Sequence, residues 1–219
     1  MSCGAVQPLT LLLALAAGVI YLLPGAAELL AWDRSAIAAG EGWRLLGGHW
    51  VHWSPSHLAW DLGTFVVLGS WCEGRGRGRF VACVVAAAVA IPIGVDWLCP
   101  QLERYGGLSG IDSALFMLMV CELLGDALRA RSRPSLVVSL VLLLGFAGKI
   151  AYEVASAQAL FASDLGAGVV PVPWAHCVGA LAGLTSLMLK DPRAERYAAS
   201  KIPLQSVSLQ NISLESSRA

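Results

Sequence analysis

The chain has 219 residues, of which 57% are hydrophobic and 14% charged, with a formal net charge of +0 and a mean hydropathy of +0.67. Soluble domains use roughly 45–50% apolar residues, so this composition excludes an ordinary water-soluble globule and points to a multi-pass protein resident in a lipid bilayer. With no net basic charge, the chain is not expected to bind nucleic acid.

The predicted elements are apolar runs matched to a bilayer, each of about 20 residues. They fall at 8–31, 57–72, 80–98, 109–128, 136–152 and 174–189. This pattern predicts an all-α bundle of six transmembrane helices within 1–190, followed by a polar, serine-rich tail at 191–219 without a core of its own. The second run, which holds His57 and Asp61, and the fifth, with Lys149 and Glu153 near its end, are the least apolar. No Lys or Arg precedes Arg34, so the first run lacks the basic leader of a signal peptide and reads as a retained helix. The connection at 32–56 carries Trp32, Trp43, Trp50 and Trp53. Tryptophan favours the headgroup level, which places this loop in the outer interface.

Orientation follows from the basic residues. Arg75, Arg77 and Arg79 separate runs two and three, Arg129, Arg131 and Arg133 separate four and five, and Lys190, Arg193, Arg196 and Lys201 follow six. Six alternating helices put all three clusters on one side, which the positive-inside rule makes cytoplasmic, with both termini inside. Most of the six cysteines lie in or near apolar runs, without the spacing of a disulfide framework or a zinc site.

The chemistry sits at two run heads. Gly107-Leu108-Ser109-Gly110 places a hydroxyl at the start of the fourth run, and Ala175-His176 places an imidazole at the start of the sixth. A serine hydroxyl is a poor nucleophile until a base takes its proton, and histidine suits that role near neutrality. Ala175, Gly179 and Gly183 recur every four residues, a stripe of small side chains matched by Gly110 and Ala114 on the fourth helix. Such stripes let backbones approach closely, which would bring Ser109 to His176.

His49, His52, His57 and Asp61 together have the ligand chemistry of a zinc site. No His-Glu-x-x-His motif occurs, and a metal would leave Gly-Leu-Ser-Gly unexplained, so no metal or cofactor is expected. His52 and Arg44 are instead expected to organise the first loop by hydrogen bonds.

Taken in order, Trp43-Arg44, His52, His57-x-x-x-Asp61, Leu68-Gly69, Glu73, Gly-Leu-Ser-Gly at 107–110 and Ala175-His176-x-x-Gly179-x-x-x-Gly183 resemble the signature of the rhomboid intramembrane serine proteases. The resemblance covers 41–189, and Asp61 and the short chain are similar to the bacterial rhombosortase branch, which processes C-terminal sorting signals. It implies a bacterial inner-membrane endopeptidase that cuts membrane-anchored proteins near the outer face. Ser109 and His176 would act as a two-residue dyad, and the Ser109 backbone N–H with His57 would hold the oxyanion. The family pattern has asparagine where this chain has Asp61. A neutral Asp61 would donate to the oxyanion; a charged one would pair with a histidine or hold a water.

Asp112, one turn beyond Ser109, either orients His176 as a third member or lies hydrated at the interface. Ser113 stands where many rhomboids place an aromatic ring against the histidine. Glu122 and Asp126 are expected at the inner interface. Two other classes compete with the enzyme: a non-catalytic rhomboid-like protein that binds clients, and a transporter using Asp61, Asp112 and Asp126, which no inverted repeat supports.

Overall fold

The computed structural model describes residues 6–156, 158, 160 and 171–188. The tail expected at 191–219 and the basic cluster beginning at Lys190 lie outside the described residues. Six helices of at least 14 residues dominate: α1 (Pro8–Leu22), α5 (Pro55–Arg75), α6 (Arg77–Leu98), α7 (Ser109–Arg129), α8 (Arg133–Ser156) and α9 (Pro173–Ser186). Between α1 and α5 the first loop folds into short pieces: α2 (Ala26–Leu30), β1 (Trp32–Asp33), α3 (Arg34–Ala38), α4 (Arg44–Gly47) and a 3-10 turn at Gly48–Trp50. Strand β2 (Arg104–Tyr105) returns to pair antiparallel with β1, Trp32 opposite Tyr105.

Two helices among the described residues, Arg77–Leu98 and Arg133–Ser156, are by themselves long and apolar enough to cross a bilayer. Helices α5 and α7 match them in length at 21 residues each, but their buried polar and charged side chains dilute the apolar signal. The first run expected at 8–31 is shorter than read. It ends at Leu22 because Pro24 cannot continue a helix and Gly25 turns the chain at φ +77°. The tiny β-ribbon is a further departure from an all-helical chain, and it ties the first loop to the segment that leads into Ser109.

The first loop is held by polar side chains. Arg44 donates from Nη1 to the carbonyls of Glu28 (2.7 Å) and Ala31 (3.0 Å), and pairs through Nε with Glu41 at 2.6 Å. Arg34 binds the carbonyls of Leu102 and Cys99 and pairs with Asp96, fixing the loop to the end of α6. Of the loop tryptophans, Trp43 is half exposed as an interfacial ring should be, whereas Trp32 is buried in the core, 1% exposed.

Glu73 near the end of α5 accepts from the Thr10 N–H at 2.9 Å and its hydroxyl at 3.0 Å, satisfying amides at the start of α1 that no helical turn can reach. At the same end, Arg75 meets Glu122 (2.6 Å) and Asp126 (2.8 Å), Arg79 meets Glu122 (3.1 Å), and Arg129 meets Asp126 (2.7 Å). These ion pairs join the two arginine-rich turns, so both lie at one end of the bundle, with Ser109 at the other end of α7.

Candidate active site

Helix α9 is wedged against α7 and α6 because its facing side chains are absent. A Cβ on Gly179 would fall on the Gly110 carbonyl oxygen, and one on Gly183 on that of Ala114. A Cβ on Gly110 would reach Ile91 Cδ1 at 2.8 Å, so all three helices close on one line. The seam expected from spacing is therefore a backbone-to-backbone contact.

That contact sets the first pair of reactive groups. Ser109 Oγ lies 3.1 Å from His176 Nε2, within hydrogen-bond reach. Behind the ring, Nδ1 is 2.9 Å from Glu153 Oε2 and 3.1 Å from Lys149 Nζ, and these two pair with each other at 2.8 Å. Helix α8 thus supplies the histidine's support, in place of the aromatic ring that Ser113 lacks. Ser113 instead donates its hydroxyl to the Ser109 carbonyl at 2.8 Å.

Among the described residues, Asp112 makes no hydrogen bond to His176. It is buried, its Oδ1 has no hydrogen-bond partner among the described residues, and Glu153 holds the position against Nδ1. The reason is helical phase: a residue three beyond Ser109 points into the cavity, whereas Nδ1 looks away from α7 toward α8. Sequence reasoning missed Glu153. The signal was present as two opposite charges four residues apart in an apolar helix, a placement that marks function more often than structure.

On the other side of Ser109, the Gly106–Leu108 segment presses against the first loop. Gly107 adopts φ +120°, where a Cβ would meet His57 Nε2 at 2.7 Å, and its N–H donates to the Gly48 carbonyl at 3.1 Å. Asp61 Oδ2 accepts from the Leu108 N–H at 2.9 Å and the Ser109 N–H at 3.2 Å. The same oxygen lies 3.2 Å from His52 Nε2 and 3.3 Å from His57 Nε2. His52 packs edge-on against His57, with ring centroids 5.0 Å apart. Asp61 thus pairs with histidines, one of the roles open to it, and also engages the N–H assigned to the oxyanion.

His52, His57 and Asp61 bring potential ligand atoms within 4.8 Å of one another. Two backbone N–H groups already bind the shared oxygen. His49 takes no part, because its Nε2 hydrogen-bonds the Ala88 carbonyl at 3.0 Å on α6. His52 serves Asp61 rather than the loop's hydrogen bonds, and Arg44 alone fills the organising role expected of the two.

A cavity of about 880 Å³ opens over these groups. Its wall includes Ser109, His176, His57, Asp61, Asp112 and Glu153, together with apolar surface from Phe116, Val141, Leu142 and Phe146. Pockets of this kind, mostly apolar with a few convergent polar groups, are where ligands bind. A family model for the rhomboid domain matches residues 39–190.

The chain belongs to the rhomboid family. Rhomboid proteins are integral membrane proteins, typically serine proteases that act on membrane proteins within the bilayer, and the two strongly apolar helices agree with that setting. The match spans every group around the cavity, from the first loop to α9. No curated protein matches the chain.

Proposed function

We propose that this rhomboid protein is an active intramembrane serine endopeptidase. The observation that carries the reading is the 3.1 Å approach of Ser109 Oγ to His176 Nε2 in the wall of the cavity. Ser109 Oγ attacks the scissile carbonyl carbon while His176 Nε2 takes its proton. The tetrahedral oxyanion collapses, the C–N bond breaks, and the proton passes from Nε2 to the leaving amine. Water, deprotonated by the same nitrogen, then hydrolyses the acyl ester and frees Ser109.

The oxyanion hole is assigned to the Ser109 N–H and His57, with the Leu108 N–H remaining on Asp61. Six spans with both termini cytoplasmic put the site toward the outer face, an arrangement supported by the joined arginine-rich turns at the opposite end. A client helix shields its own peptide bonds, so substrates with a helix-breaking Gly or Pro near the outer face suit the site. Processing of C-terminal sorting signals in the bacterial inner membrane is the narrower form of this proposal.

A second reading is a client-binding rhomboid without turnover. One observation favours it: the Ser109 N–H is engaged by a carboxylate oxygen. A fluorophosphonate probe separates the two. Labelling of the folded protein that is lost in Ser109→Ala and His176→Ala is the expected result, and folded protein that stays unlabelled overturns the enzyme.

A further inference from the structure

We propose that Glu153 is a positioning residue that fixes the working tautomer of His176 against the competing cation Lys149. The inference rests on the serine-protease reading and adds a third member to its dyad. It begins with an anomaly of α8: the side chains this helix buries are Ser139 and Glu153, and all its other described residues stay at least partly exposed. An exposed Lys–Glu pair at i,i+4 contributes little to stability, far too little to explain turning a carboxylate inward to 2% exposure.

The neighbours of Nδ1 make opposite demands. An ionised carboxylate only accepts hydrogen bonds and an ammonium only donates them. With the proton on Nδ1, the ring donates to Glu153 Oε2 at 2.9 Å and leaves Nε2 bare toward Ser109 Oγ at 3.1 Å. With Nδ1 bare, Lys149 Nζ at 3.1 Å donates to it. The proton then sits on Nε2, and His176 cannot take one from Ser109. Glu153 decides the competition twice over. It accepts the Nδ1 proton, and it occupies Lys149 at 2.8 Å. The Leu160 N–H on Oε1, at 3.3 Å, holds the carboxylate in place. When His176 becomes an imidazolium during turnover, the same carboxylate faces the new charge.

The test measures fluorophosphonate labelling rates of the purified full chain in detergent for wild type, Glu153→Gln and Glu153→Gln with Lys149→Met. Glutamine keeps the shape of the side chain and its carbonyl can still accept from Nδ1–H, but without the negative charge it holds Lys149 only weakly. Glu153→Gln should therefore label about 100-fold more slowly, a wrong-tautomer loss. The double variant, freed of the competing donor, should regain about 10-fold or more over Glu153→Gln. A merely structural ion pair predicts no such recovery. In a Ser109→Ala background, nitrogen-15 NMR of His176 should show the proton on Nδ1 with Glu153 present and on Nε2 with Glu153→Gln. Wild-type labelling by Glu153→Gln, a double variant no faster than the single, or an unchanged tautomer each overturns the inference alone. Absence of labelling in folded wild type overturns the protease reading and the inference with it.

Discussion

Asp61 Oδ2 collects the N–H groups of Leu108 and Ser109 and the ring edges of two histidines, all within 3.3 Å. Those are the surroundings an oxyanion needs, so a charged Asp61 competes with the transition state for the Ser109 N–H. Asparagine at this position keeps an acceptor for Leu108 while removing the competing charge. Asp61→Asn should raise the fluorophosphonate labelling rate by about 3-fold or more, and a rate below wild type would show that the carboxylate's charge is needed. The serine, the histidine and the His57–Asp61 pair were all legible, because a motif fixes residue type and order. The pairing of Glu153 with His176 was not, because the two lie 23 positions apart and no local spacing connects them.

At the scale of elements, the α7–α9 seam is read directly from glycine spacing. Its tightness is a tertiary fact, with the Gly110 and Ala114 carbonyls standing where side chains at 179 and 183 would go. Gly179→Leu must push α9 outward, so it should abolish labelling and lower the melting temperature although it touches no reacting atom. Wild-type labelling by that variant would refute the seam. Gly148 on α8 is the contrasting case, with open space where its Cβ would stand. Gly148→Ala should leave labelling intact and stabilise the helix by about 0.5–1 kcal/mol, read as a higher melting temperature in detergent. Helix α1 illustrates the limit of hydropathy. Its apolar run continues to 31, but Pro24 and Gly25 end the helix at Leu22 whatever the hydrophobicity beyond.

For the molecule as a whole, the first loop is anchored to the bundle through His49, which is buried with its Nε2 on the Ala88 carbonyl. Burial pushes its pKa down to about 4, from an ordinary value of 6.5. The unfolded chain therefore binds this proton before the folded one does. The stability His49 contributes is complete above pH 6.5 and is lost as pH falls toward 4, at most on the order of 3 kcal/mol. Thermal melts should fall across that window in wild type and less steeply in His49→Gln, and parallel curves would remove His49 as the cause.

Membrane residence, the apolar runs, the arginine-rich turns and the Ser109–His176 pair follow from the sequence, because hydropathy, charge and motif order are local properties that survive without coordinates. Only the tertiary structure decides that Asp61 holds the Ser109 N–H and that Glu153, rather than Asp112, backs His176. Both depend on side chains from separate helices meeting at one point, and the depth and rotation of each helix are set by packing against its neighbours. No periodicity within a single run carries that information.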